Sequence, residues 1–147
     1  MIREVSPDRG TIIYTVDAAG NTVRMKDARG VITRYTYDAL NRLTKTAYPS
    51  DAAQNVILTY DMDAGCGVYV GRLCRVKDAG GITRYVYDEL GRLTRVKEIR
   101  GSNAFTTNYG YDLSGNITSI TYPSGRTITY TYNGNNEVIS VDEGSTN

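Results

Sequence analysis

The chain of 147 residues contains no histidine and no tryptophan, and it has a single phenylalanine. Without imidazole there is no Ser-His-Asp or Cys-His arrangement and no metal site built on histidine. Cysteine is scarce too: Cys66 and Cys74 are the only two, and neither sits in a CxxC motif. A disulfide between them is open if the segment folds back as a hairpin. Two small, semi-buried thiols are the plainer reading, and neither indicates a redox compartment. No run of eighteen apolar residues occurs, so no helical membrane span is expected. The opening segment, MIREVSPDRG, lacks an apolar signal-peptide core, so no Sec-type leader is expected in it. A net charge of +1 supplies no global field for nucleic acid or an anionic membrane surface.

Three residue types are abundant instead: thirteen Tyr, eighteen Thr and fifteen Gly. Tyr and Thr suit pleated, half-wet surfaces, and Gly marks turns and bulges. The composition therefore predicts an all-β fold whose interior is aromatic and partly polar.

The chain also repeats itself. Aligned on a Tyr/Asp step, six units appear, with the acidic position at Asp17, Asp38, Asp61, Asp88, Asp112 and Asn133. The second and fourth units are nearly one phrase, RYTYDALNRLT from Arg34 and RYVYDELGRLT from Arg84. Each begins with period-two alternation that puts Tyr35 and Tyr37, or Tyr85 and Tyr87, on one face. Tyr109 and Tyr111 repeat the pattern, as do Tyr130 and Tyr132, and Tyr60 stands before Asp61.

A four-residue turn follows: Asp17–Gly20, Asp38–Asn41, Asp88–Gly91 and Asp112–Gly115. The Asp carboxylate can accept from backbone N–H groups just ahead of it. Gly or Asn closes the turn because that position calls for positive φ. A second alternating run completes a β-hairpin. The third unit departs from this plan, with MDAGCGV reading as an insertion at its tip. The array of about six hairpins covers roughly residues 10–141 of a single domain, 1–147.

Candidate chemistry is thin. Asp61 and Asp63 are close in sequence, but DMDAG lacks the distal Glu of a calcium loop. No catalytic, cofactor-binding or metal-ligating residue is assigned, and an enzyme is not expected. Rows of Tyr and carboxylate could bind a carbohydrate, and the Tyr-rich face or the 62–71 tip loop could bind a partner protein. A feature recurring six times more often solves a folding problem than a catalytic one. Arg34, Arg42, Arg84 and Arg92 are read as covering neighbouring strands and bonding carboxylates or carbonyls, with no nucleic-acid partner.

The phrase Tyr-x-Tyr-Asp-x-x-Gly-Arg/Asn-Leu-Thr, recurring at about twenty-one residues or a little more, resembles the YD repeat of Rhs proteins, toxin-complex shells and teneurins. Val16 in place of the second Tyr, the enlarged third tip and Asn133 in place of Asp depart from it. The resemblance implies hairpins joined side by side in one twisted, curled antiparallel sheet, a segment of an Rhs-type shell around a toxin or effector cargo. It also implies a bacterial, secreted or cell-surface parent, of which six repeats would be a fragment. The DPxGL-type segment associated with self-cleavage in that family has no counterpart here. Flanking YD repeats, or other copies of the chain joined at edge strands, are the expected partners.

Overall fold

The computed structural model describes residues 1–61, 65–66 and 71–145. It is all-β, with thirteen strands and one short 3-10 turn, Ala52–Gln54. Two compact units are present: Met1–Thr59 with Val76–Gly80, and Tyr60–Arg75 with Gly81–Asn147.

The first unit holds β1 (Ile2–Ser6), β2 (Gly10–Val16), β3 (Thr22–Lys26), β4 (Ile32–Tyr37), β5 (Leu43–Ala47) and most of β6 (Val56–Tyr60). β7 (Leu73–Asp78) gives its first three residues to the second unit and the rest to the first. The second unit continues with β8 (Gly81–Tyr87), β9 (Leu93–Arg100) and β10 (Asn103–Tyr111). β11 (Ile117–Thr121), β12 (Arg126–Tyr132) and β13 (Val138–Ser145) complete it.

Within each unit the sheet order is the chain order, and every pairing among the described residues is antiparallel. This is the pattern that alternating strands and tight turns dictate, because a two-to-four-residue connection can only join antiparallel neighbours. β1 has β2 as its one neighbour and β13 has β12.

Among the described residues, bulges interrupt the ladders at Thr15/Val16, Thr36/Tyr37, Val86/Tyr87, Gly110/Tyr111 and Thr131/Tyr132. Each ends one residue before Asp17, Asp38, Asp88, Asp112 or Asn133. The residue three positions beyond each of these has positive φ: Gly20 (88°), Asn41 (59°), Gly91 (74°), Gly115 (91°) and Asn136 (62°). A turn whose last residue is left-handed forces an extra residue into one strand, which is how a three-residue hairpin loop makes a bulge.

The interior is thin. Among the described residues only Cys66, Cys74 and Ile128 are buried apolar side chains, with Thr33 the buried polar one. Every Tyr of the repeat pairs is half-buried, and β2 is half-buried along its whole length. Stability must therefore come from ladders and side-chain bonds repeated at every hairpin, with little dry core to add to them.

Candidate functional site: turns and tyrosine latches between repeats

Each repeat turn is built by its acid. At Asp38 the backbone N–H donates to the Arg42 carbonyl (3.0 Å), and the Asn41 N–H donates back to the Asp38 carbonyl (3.0 Å). One carboxylate oxygen, Oδ1, accepts from the Leu40 N–H (2.9 Å) and the Arg42 N–H (3.0 Å). The other, Oδ2, takes the Arg42 Nε at 2.7 Å. Asp88 repeats the arrangement with Leu90, Arg92 and the Arg92 Nε (2.7 Å). Asp17 and Asp112 use Asn21 and Asn116 for the same purpose, through backbone and amide side chain.

Asn133 shows what the motif needs when the acid is lost. Its Oδ1 still accepts from the Asn135 and Glu137 N–H groups, while its Nδ2 donates to Glu137 Oε2 at 2.7 Å. The charge has moved to the partner. Asp61 holds the enlarged third turn in the same way, accepting from the N–H groups of Gly71 and Arg72.

These contacts act on the acids. The Arg42 backbone N–H, with its guanidinium, holds the Asp38 carboxyl below the usual range despite some desolvation. Desolvation would raise Asp88, but the bonds from Arg92 outweigh it and the net shift is downward. The amide of Asn21 lowers Asp17, and that of Asn116 lowers Asp112. Each of these carboxylates is thus favoured as the anion where it sits.

The second Tyr of each pair does something periodicity does not reveal. Its hydroxyl donates to a main-chain carbonyl of the strand leaving the preceding turn. Tyr37 reaches Thr22 (3.0 Å), Tyr87 reaches Leu73 (2.9 Å), Tyr111 reaches Leu93 (2.8 Å) and Tyr132 reaches Ile117 (2.8 Å). The accepting residue is in each case the first one after the preceding turn closes. One rule describes four junctions, and each bond ties a hairpin to its predecessor. Burial raises the Tyr87 and Tyr111 hydroxyls above the ordinary phenol value, keeping them protonated donors.

The first Tyr of each pair, Tyr35, Tyr85, Tyr109 or Tyr130, lies two residues earlier on the same half-buried face. Tyr35 is raised by burial and then by the nearby Tyr48, Tyr37 and Tyr14. Arginines join the rows: Arg72 lies over the Tyr87 ring (5.2 Å) and Arg92 over the Tyr111 ring (4.8 Å). Arg92 Nη1 also donates to the Asp112 carbonyl at 2.8 Å.

Cys66 and Cys74 are joined as a disulfide, with Cα atoms 5.3 Å apart and both residues almost fully buried. The free-thiol reading is therefore replaced: Cys66 lies beside Cys74, near the start of β7. Residues 62–64 and 67–70 of the 62–71 tip loop lie outside the described residues. Beside the disulfide is an open recess of about 240 Å³ lined by Cys66, Cys74, Arg84, Tyr85, Arg95 and Lys97 among others.

One turn escaped the sequence reading. Asp27–Gly30 has the same bonds as the repeat turns, with Asp27 Oδ1 accepting from the Arg29 and Val31 N–H groups. DARG carries the Asp-x-x-Gly signal in full; its lack of a preceding Tyr hid it. No cluster of three or more His, Cys, Asp or Glu placed to hold a metal occurs among the described residues.

Six turns of one construction and four identical latches describe a repeat array, and comparison agrees. The RHS Repeat family model matches residues 16–53, 69–102 and 111–147, most of the chain. The chain belongs to the RHS repeat family. The interval left between the first two matches holds Asp61 and Cys66, where the enlarged tip departs from the repeat. No curated protein matches the chain by sequence.

Solved structures do match. A crystal structure of TcdB2–TccC3–Cdc42 is 17% identical with a TM-score of 0.79, covering 97% of this chain and 8% of that one. TcdB2–TccC3 without its hypervariable C-terminal region gives 17%, 0.78, 98% and 8% in the same order. The pore of the Photorhabdus luminescens Tc holotoxin, carrying a TccC3 variant, is 28% identical with a TM-score of 0.70, covering 89% of this chain and 7% of that one. This RHS-repeat chain therefore spans less than a tenth of the length of the solved chains that share its fold.

Proposed function

We propose that this RHS-repeat chain is structural: a segment of wall in an Rhs-type shell that encloses a toxin or effector cargo of its parent protein. The observation that carries the reading is the recurrence of one junction. The Tyr hydroxyl that would face a ligand is instead bonded to the preceding hairpin at Tyr37, Tyr87, Tyr111 and Tyr132. The carboxylates are likewise occupied by their own turns. Residues so committed hold a sheet together and are poorly placed to bind a sugar or to act as general acid and base. Family membership and the fold shared with TcdB2–TccC3 structures support the same view.

In this reading the whole chain is one stretch of a longer array, without catalytic activity. Its partners are further repeats, the enclosed cargo, and, when the chain is alone, other copies meeting at the edges of β1 and β13. An edge strand presents unpaired N–H and C=O groups, and β13 adds exposed Val138, Ile139 and Val141.

The test is limited proteolysis of the full gene product that carries this chain. A wall segment predicts that the cargo resists protease in the intact product and becomes sensitive once mild denaturant opens the repeats. Equal digestion of the cargo before and after opening contradicts it.

A further inference from the structure

Two further positions characterise each repeat turn: the left-handed residue, and the closing residue whose carbonyl accepts from the N–H of the residue that opens the turn. The closing residues are Asn21, Arg42, Arg72, Arg92, Asn116 and Glu137. The left-handed residues before them are Gly20, Asn41, Gly71, Gly91, Gly115 and Asn136. Within a turn the two vary independently: Gly precedes Asn twice and Arg twice, and Asn precedes Arg once and Glu once. Between successive repeats they match without exception. Asn21 is followed by the turn of Asn41, and Asn116 by that of Asn136. Arg42, Arg72 and Arg92 are followed by turns with Gly71, Gly91 and Gly115.

The contacts give the reason. Asn21 Nδ2 donates to Asn41 Oδ1 (2.8 Å), and Asn116 Nδ2 donates to Asn136 Oδ1 (2.9 Å), while each also holds its own turn acid. A short amide reaches the next turn only if that turn extends an acceptor towards it. Arginine is longer, and at one junction, Arg72 before Gly91, it lies across the next turn. A Cβ on Gly91 would stand 2.2 Å from Arg72 Nη2 and 2.7 Å from Cζ, inside contact distance. At the next junction Arg92 turns to the Asp112 carbonyl and leaves Gly115 open. Register favours the contact: extending the β9–β10 and β11–β12 ladders sets Arg92 opposite Tyr111 and Asn116 opposite Tyr132.

We infer that the closing residue of one repeat and the left-handed residue of the next form a matched pair, Asn with Asn or Arg with Gly, that selects which hairpins are accepted as neighbours. A mixed junction loses on one side or the other: a Cβ at position 91 meets the Arg72 guanidinium, and an Asn before a Gly turn finds no side-chain acceptor there. The pairing thus helps to keep near-identical hairpins from joining out of order, a hazard of any array whose repeats read alike.

The test is a double-mutant cycle on the full 147-residue chain, read by thermal midpoint and by amide exchange in β7 and β8. Gly91→Asn alone is expected to lower the midpoint by about 3 °C, a typical shift for a local fault in a chain of this size. In the Arg72→Asn background the same change is expected to be neutral or stabilising, because an Asn–Asn pair is rebuilt. The same-turn control, Gly91→Asn with Arg92→Asn, shows no rescue. The converse cycle, Asn116→Arg with Asn136→Gly, recovers in the double variant. Three results overturn the inference: an equal effect of Gly91→Asn in the parent and Arg72→Asn backgrounds, no loss in the single variant, or a double variant that fails to fold.

Discussion

At the residue scale, the acid, its left-handed partner and the tyrosine before it each have one task that can be removed separately. Gly91 needs positive φ and has the Arg72 guanidinium where a Cβ would go, whereas Glu89 is exposed at the same turn. Gly91→Val should lower the melting temperature far more than Glu89→Ala; equal melting temperatures would sink the positive-φ argument. The Asp carboxyls give a pH dependence of definite sign. Because Asp17, Asp38, Asp88 and Asp112 are held low in the folded chain, their stabilisation is present above the unfolded value of about 4 and is lost as pH falls below it. Tyr35, Tyr87 and Tyr111 are raised, chiefly by burial, so stability is full below about pH 10 and declines as pH climbs past it. Urea midpoints measured from the acid limb, below about pH 4, to the alkaline limb, above about pH 10, should trace a dome with both limbs. A flat acid limb would remove the carboxylates from the account.

At the element scale, the hairpin is the unit and the latch is its connection. Tyr111→Phe keeps the ring and its Arg92 contact but leaves the Leu93 carbonyl without its donor, a loss of about 1 kcal/mol. Denaturant midpoints of the variant and the parent chain measure it, and an unchanged midpoint would reduce the latch to a bystander. The Cys66–Cys74 link closes a short loop at the enlarged third turn, and loop-closure entropy puts its contribution at about 2.5 kcal/mol. Reductant should therefore lower the urea midpoint, with amide exchange rising first near Leu73.

Much of this level was legible beforehand. Strands, turns and the positive φ at Asn41 and Gly91 follow from alternation and from Asp-x-x-Gly/Asn, because these depend on residues adjacent in the chain. The Tyr87–Leu73 bond was not legible, since it depends on a bulge that turns one side chain across a neighbouring strand. The disulfide was open for a similar reason: spacing alone does not say whether a hairpin tip returns close enough for two sulfurs to meet. Asp27 was missed through reliance on the preceding Tyr, when the turn chemistry stood in DARG itself.

At the scale of the whole molecule, few side chains are dry and the end strands have one neighbour each. Such an array gains stability with every repeat added, so the isolated chain should associate through its ends. Light scattering over a dilution series should give a mass that rises with concentration; a monomer at every concentration would count against open edges. The central claim is that these hairpins are wall. Electron cryomicroscopy of the full gene product tests it most directly. The account predicts that residues 10–141 run as consecutive hairpins in a continuous shell around internal density, with the Tyr-to-carbonyl bond carried on into the flanking repeats. A map in which this chain forms a separate module outside any enclosure, with its Tyr face presented to a ligand, would contradict it.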